Sequence, residues 1–361
     1  MTVRMRIDDY DISAAARGTK TSFELLIGTG IDSVEDGGER EGESRDIPLP
    51  VLQIAGAAEG PTLLVLAGVH GDEYEGMETI LRLYRGIQPE QVAGTLVLAP
   101  VANPLSYRGG TRTSPEDGLN MARVFPGDRR GRPTERIAWQ LHHRLLAQAD
   151  FLLDLHSGGT HYAVSTLVGY YHNEETEIGR KSRAAAEAFG AELLWAHETV
   201  ALGRTVSSAL ALGVPWLYTE AYGGKRIRRE DAELIYHGAL RLMRHLGMLS
   251  EVPEQMAASR ADLSPAPARR IYGDGNFDGS ETAGASGFFL PETVLGAEIR
   301  AGERIGSICG FDGTELECVV ASRDGIVVML PGAPTVRQGE PLFLIAPTRP
   351  AAPVDAEEAD R

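Results

Sequence analysis

Two residues that suit a borderline metal ion stand three positions apart. They are His70 and Glu73, in the run Gly68-Val69-His70-Gly71-Asp72-Glu73-Tyr74-Glu75-Gly76. Imidazole and carboxylate together suit zinc, and a catalytic zinc site keeps three protein ligands and one open position. The third candidate ligand is His156, in Asp154-Leu155-His156-Ser157-Gly158-Gly159. A His2Glu set of this kind would hold one zinc ion per chain, lower the pKa of a water and polarise a carbonyl oxygen. Such chemistry needs a base within reach. Glu220, in Thr219-Glu220-Ala221-Tyr222-Gly223-Gly224, is the candidate, able to take the water's proton and deliver it to a leaving amine. A developing oxyanion needs a cation, and Arg108, Arg112 and Arg123 lie in one long segment between strands. A guanidinium can also grip a substrate carboxylate through paired hydrogen bonds.

Taken singly these signals are weak. His-x-x-Glu is common, Asp-Leu-His is more often a hydrogen-bonded strand end, and Glu220 alone could be an ion-pair partner. Their context is shared, however. Each cluster ends an apolar run and is followed by glycine. Thr62 to Ala67 precedes His70, Phe151 to Leu155 precedes His156, and Pro215 to Thr219 precedes Glu220. Structural histidines have no reason to share that setting. His142 and His143 lie mid-helix, His161 follows the second cluster closely with pocket and surface positions both open to it, and the remaining histidines give no signal. No Gly-x-Ser-x-Gly elbow and no phosphate-binding Gly-Lys-Ser/Thr loop occurs.

The elements that must position these residues read as alternating strands and helices. Ser22 to Ile27, Leu49 to Ile54 and Gly94 to Pro100 are further strands, and a Gly- and acid-rich stretch, Gly28 to Arg45, reads as a solvated loop. Met77 to Arg85, Thr134 to Ala149, Glu174 to Phe189, Thr205 to Leu212 and Arg229 to Leu246 have helical character, with Ile137, Leu141 and Leu145 on one stripe. Val101 to Arg132 is long and irregular, a length that is usually functional. The pattern predicts an α/β fold: a mixed, largely parallel sheet with helices on both faces, binding its ligand at the C-terminal ends of strands. After a proline-punctuated stretch the texture changes to short strands with Asp-Gly turns, the mark of a small all-β module. The expected organisation is a catalytic domain over 1–250, a linker over 251–269, a β domain over 270–347 and a disordered acidic tail over 348–361.

Composition narrows the partners. Acidic residues outnumber basic ones, 51 to 35, and the net charge of −16 argues against nucleic acid. The N-terminus lacks the apolar core of a signal peptide, and no run approaches the roughly 20 apolar residues of a membrane span. The two cysteines, Cys309 and Cys318, demand no oxidising compartment and are expected as free buried thiols, so the expected location is the cytoplasm. The oligomeric state is open, and a homo-oligomer is compatible with the chain.

These motifs, with Asn103-Pro104, Arg112 and Asp117-Gly118, and Arg123-Val124-Phe125-Pro126-Gly127, resemble the succinylglutamate desuccinylase/aspartoacylase family of the zinc carboxypeptidase-like superfamily. The resemblance covers roughly residues 50 to 245. It implies that His70, Glu73 and His156 bind zinc, that Glu220 is the general acid/base, that Arg112 stabilises the oxyanion, and that Arg123 binds the substrate carboxylate. Arg108, Asn120 and Tyr222 complete the substrate-binding candidates. The implied activity is hydrolysis of the amide bond of a small N-acyl amino acid. Alternatives with the same machinery are a peptide carboxypeptidase and an esterase or lactonase, and a non-catalytic metal-binding protein ranks lower because Glu220 is present. One stretch departs from the family. Asn120-Met121-Ala122-Arg123 stands where Asp-Leu-Asn-Arg is usual, so an acid that could orient a zinc-bound histidine is neutral and an amide of the carboxylate clamp is missing. The C-terminal module also resembles biotinyl and lipoyl carriers, but the chain's three lysines, Lys20, Lys181 and Lys225, all precede it, which excludes a swinging arm.

Overall fold

The computed structural model describes residues 2–28, 46–250 and 268–349. Residues 29–45 of the expected solvated loop, 251–267 of the expected linker and the tail from 350 lie outside the described residues.

The strands of the large sheet are β1 (Thr2–Arg6), β2 (Thr19–Ile27), β3 (Ile47–Ala55), β4 (Ala58–Ala67), β5 (Ala93–Ala99) and β6 (Phe151–Leu155). After a short strand β7 (Tyr162–Val164), which belongs elsewhere, come β8 (Leu167–Tyr171), β9 (Leu193–His197), β10 (Trp216–Glu220) and β11 (Arg269–Tyr272). They lie in the order β1-β2-β3-β5-β4-β6-β10-β8-β9-β11. Pairings β2 with β3, β3 with β5 and β8 with β10 are antiparallel and the others parallel, so the sheet is mixed and largely parallel, as expected. The fully buried apolar runs of β4, β6 and β10 are what a sheet covered on both faces requires.

The helices are α1 (Glu75–Gly86), α2 (Pro104–Gly109), α3 (Pro133–Gln140), α4 (Glu177–Phe189), α5 (Thr205–Ala211) and α6 (Arg229–His245). Helix α1 buries Met77, Ile80 and Leu83 at helical spacing, with acids in its first turn and Arg85 in its last, in keeping with the helix dipole. Each such side chain contributes roughly 1.5–3 kcal/mol by leaving water. The helix expected over Thr134 to Ala149 changes form midway, to a π turn at Leu141–Leu145 and a 3-10 turn at Leu146–Gln148. Its stripe of Ile137, Leu141 and Leu145 is nevertheless buried throughout. The segment read as irregular contains α2, started by Asn103, whose Oδ1 accepts from the Ser106 N–H, and by Pro104 at the first helical position.

The C-terminal strands are β12 (Glu281–Thr282), β13 (Gly287–Pro291), β14 (Glu298–Ile299), β15 (Arg304–Cys309), β16 (Glu315–Val320), β17 (Gly325–Pro331), β18 (Thr335–Val336) and β19 (Pro341–Ala346). They form two antiparallel sheets, β12-β19-β17-β14 and β16-β15-β13-β18. This all-β part interlocks with the large sheet in two ways. Strand β7 pairs with β17, setting Val164 opposite Met329, and β11 pairs with β9 at the edge of the large sheet. Cys309 and Cys318 are free, but the thiols are not buried as expected: Cys309 is half-buried and Cys318 exposed. Among the described residues no helix is long and apolar enough to cross a membrane.

Candidate metal centre and active site

Strands β4, β6 and β10 are neighbours and parallel, with Ala67 level with Leu155 and Leu155 level with Thr219. Their C-terminal ends therefore share one edge, and the turns that follow carry His70, His156 and Glu220 to a common place. Backbone hydrogen bonds lace the last two turns together: His156 N–H donates to Thr219 O at 3.0 Å, and Ala221 N–H donates to His156 O at 3.1 Å. The buried Asp72 ties the first turn to the second by accepting from Thr160 N–H at 2.8 Å. Glycine is required twice in the first turn. Gly68 has φ of +67°, and a Cβ on Gly71 would lie 2.0 Å from the Ser106 backbone.

Within this frame Glu73 spans the two histidines. Its Oε1 lies 2.7 Å from His70 Nδ1 and its Oε2 lies 3.0 Å from His156 Nδ1. One ligand atom from each of the three residues falls within 4.8 Å of the others. The outer nitrogens are held by acceptors. His156 Nε2 meets Asp154 Oδ2 at 3.1 Å, and His70 Nε2 meets Asn120 Oδ1 at 3.0 Å. Both rings thus turn Nδ1 inward and Nε2 toward a supporting oxygen, the arrangement that orients metal-binding histidines. Two imidazoles, a carboxylate and their supporting acceptors fit a zinc ion.

The electrostatics follow from burial and neighbours. Burial works against the Glu73 charge, but His70 and His156 outweigh it and hold the carboxyl below its usual range. His156 is raised well above the usual imidazole value because Asp154 and Glu73 outweigh burial, whereas His70 is lowered by burial and by Arg112. Burial pushes Glu220, only 8% exposed, up to about 8, against the pull of His156 and with a push from Glu73. Arg112 joins the cluster through its Nη1, which donates to Glu73 Oε1 at 3.3 Å.

Beyond the cluster lies a small pocket of about 60 Å³, lined by Arg112, Ala122, Arg123, Arg204, Tyr218 and Phe277 together with His70, His156 and Glu220. A larger cavity of about 660 Å³ lies at the junction with the β module and contains none of the candidate ligands. Arg108 and Tyr222, expected at the substrate, are elsewhere. Arg108 is exposed and donates to Pro104 O, and Tyr222 lines the junction cavity beneath Arg228. Asn120 is not in the pocket lining, because its Oδ1 is taken by His70 and by the Ala122 N–H at 2.9 Å. His161 is exposed.

Arg204, Val206, Tyr218 and Phe277 are among the pocket residues that were not sequence candidates. Tyr218 had a signal: it stands two residues before Glu220 on a strand, hence on the same face. Its hydroxyl donates to His197 Nε2 at 2.8 Å, which fixes the tautomer, because His197 Nδ1–H must donate to Gly273 O at 2.7 Å. Burial pulls this imidazole down to about 4, against the Gly273 hydrogen bond, so it is neutral. Arg204 and Phe277 come from a loop and from the segment after β11, and no periodicity marks either.

A strand-end His2Glu cluster beside a buried glutamate defines a class of α/β proteins. Comparison identifies which: residues 59–246 match the succinylglutamate desuccinylase/aspartoacylase catalytic domain, and the chain belongs to that family. The Nα-acetyl-L-2,4-diaminobutyric acid deacetylase of Halomonas elongata is 33% identical over 215 residues, which span 58% of this chain and 61% of that protein. The crystal structure of a succinylglutamate desuccinylase/aspartoacylase from Rhodobacter sphaeroides superposes with a TM-score of 0.79 at 28% identity, covering 94% of this chain and 98% of that one. The product-bound ectoine utilization protein EutE (DoeB) from Ruegeria pomeroyi shares the fold, with a TM-score of 0.78 at 24% identity over 92% of this chain and 96% of that one.

Proposed function

We propose that this protein is a zinc-dependent deacylase that hydrolyses the amide bond of a small N-acyl amino acid. The observation that carries the reading is the convergence of three donor residues within 4.8 Å, with the buried Glu220 lining the same pocket. The name of the Halomonas relative, a deacetylase of an N-acetyl amino acid, supports an amide as the bond cut.

His70, Glu73 and His156 would hold the ion, which when bound supplies a Lewis acid for the scissile carbonyl and acidifies a water. Glu220 is the proton carrier. Burial raises its carboxyl, which suits a group that takes a proton from water and returns it to the departing amine as the C–N bond breaks. Arg112, held at the cluster by Glu73, offers its guanidinium to the oxygen on which negative charge builds. Arg123 and Arg204 both line the pocket, and Arg204, which among the described residues has no carboxylate as a hydrogen-bond partner, is the cation available to a substrate carboxylate. The pocket of about 60 Å³, with Gly275 and Phe277 in its wall, favours a small substrate over a peptide.

The test is elemental analysis of the purified protein together with a turnover screen. The screen pairs N-acetyl, N-formyl and N-succinyl amino acids with the matching esters and with C-terminal dipeptides. One zinc per chain and turnover of an N-acyl amino acid are expected. Turnover confined to esters or peptides, or a protein that binds no metal, overturns the reading.

A further inference from the structure

The pocket's outer end carries a cation that is already spent. Arg123 gives both its Nε–H and an Nη2–H to Asp278 Oδ2, at 3.1 and 2.8 Å, and its Nη1–H to the Ala122 carbonyl at 3.0 Å. All three nitrogens of the guanidinium are engaged. The residue beside it, Ala122, offers a methyl group to the pocket.

Asp278 does not stand there by chance of a loose side chain. The segment Gly273 to Ser280 is fastened along its length. His197 holds the Gly273 carbonyl, Arg204 donates to Gly275 O at 2.8 Å and to Asn276 Oδ1 at 3.0 Å, and Asn276 Oδ1 in turn caps the Asp278 N–H at 3.2 Å. Phe277 stacks on Tyr162 with ring centroids 6.1 Å apart and meets Trp195 edge-on. The Asp278 side chain is 63% exposed, so solvent screens its bond to Arg123, which adds little to stability. What the pair does change is the charge a ligand meets.

We propose that Asp278 is a specificity-determining residue that makes the site select N-acyl amino acids whose side chain is neutral or cationic. This rests on the deacylase reading above. An N-acyl amino acid carries one carboxylate of its own, and Arg204, whose bonds among the described residues go to uncharged oxygens, remains to receive it. A second carboxylate that turns to Arg123 meets a guanidinium already paired with Asp278, and it must displace a tethered carboxylate of the same charge. A cationic side chain that extends past Arg123 instead has Asp278 as a partner, since this exposed carboxylate follows the pocket residue Phe277 and is paired with the pocket residue Arg123. Discrimination of this kind works by a repulsive element as much as an attractive one. The determinant also lies outside the matched catalytic stretch 59–246, so it is supplied by the return of the chain after β11.

The test compares the full-length native protein with Asp278→Asn and Asp278→Glu. Two ratios are read: kcat/KM for Nα-acetyl-L-aspartate over Nα-acetyl-L-2,4-diaminobutyrate, and calorimetric affinity for L-aspartate over L-2,4-diaminobutyrate. Asp278→Asn should raise both ratios about tenfold, an effect of the size of one charge-assisted hydrogen bond. Asp278→Glu, which keeps the charge, should leave them near the native values. Ratios that stay within about twofold in Asp278→Asn, or that move equally in both variants, overturn the proposal. If neither acetylated compound is cleaved, the deacylase reading fails, while the calorimetric ratio still decides the role of Asp278. If neither amino acid binds any of the three proteins, both fall.

Discussion

The two ends of the pocket are built differently. The inner end is made from the turns after three adjacent parallel strands. Its groups, His70, Glu73, Asp154, His156 and Glu220, are buried or nearly so and hydrogen-bonded or charge-coupled to one another. The outer end is assembled from a loop after β9, a 3-10 turn at Met121–Arg123 and the strap at Gly273 to Ser280. Its groups are partly exposed and paired across long sequence separations, as Arg123 is with Asp278. A reacting centre needs donors fixed to within a fraction of an ångström, and rigid strand ends provide that. Discrimination among substrates needs only a change of charge or shape at the far end, and loops can vary there without disturbing the chemistry.

The sharpest way to break this contrast is to remove an inner group. His70→Ala deletes one of the three proposed ligands and leaves Glu73 with one imidazole fewer. Zinc content should fall from one per chain to near zero, and turnover should drop by at least about a thousandfold. Retention of stoichiometric zinc after dialysis against a moderate chelator would mean that the cluster is not the metal site.

Glu220→Gln should keep the metal but lose about 10²–10⁴ in kcat, the usual worth of a positioned proton carrier. The same variant has a second signature, in the chelated protein. The native-state carboxyl lies near 8 against 4.5 in the unfolded chain, so folding favours its protonated form. Its contribution is fully present below about 4.5 and is lost as pH rises toward 8. Glutamine cannot lose a proton. The stability of Glu220→Gln relative to the native protein should therefore climb between pH 4.5 and 8, and thermal unfolding of the two proteins across that range measures it. A difference independent of pH would show that Glu220 is not held protonated by burial.

How much of this was legible in the sequence follows the same division. The inner end announces itself because β4, β6 and β10 are apolar runs that stop at a polar residue and a glycine, a pattern with a single physical cause. The strands β8 and β9 were missed: Leu167–Tyr171 is interrupted by Gly169, and Leu193–His197 is short and begins three residues after the Gly190 that caps α4. Gly169 is there because the Tyr218 ring crosses it, so a Cβ would lie 1.9 Å from the ring, which is a tertiary constraint and invisible locally. The outer end was illegible for a related reason. Nothing in the composition of Asp274-Gly275-Asn276-Phe277-Asp278 says that it folds back onto Arg123, since that depends on β11 joining the far edge of the sheet. Arg108 differs in the opposite sense, lying outside the pocket lining. Its position in a loop rich in arginines suggested a substrate contact, but α2 turns it outward.

The smallest expected effect lies at the boundary between the two ends. Asn120 lies in the stretch expected to depart from the family pattern, and its Oδ1 reaches His70 Nε2 at 3.0 Å, the place an orienting carboxylate would take. An amide oxygen accepts the same hydrogen bond without a charge, so it orients the ring but raises the basicity of the inward nitrogen less than a carboxylate does. Asn120→Asp keeps the shape and the second bond, to the Ala122 N–H, and adds one negative charge near a cationic site. Zinc affinity should rise, by less than about tenfold, the low end of what supporting groups contribute. Because the change acts through the imidazole and not through the pocket wall, the preference between anionic and cationic substrates should stay where Asp278 sets it. Competition with a chromophoric chelator reads the first quantity and the kcat/KM ratio the second. An unchanged or weaker zinc affinity would show that the Asn120 bond only holds the loop, and a shifted substrate ratio would place Asn120 at the outer end after all.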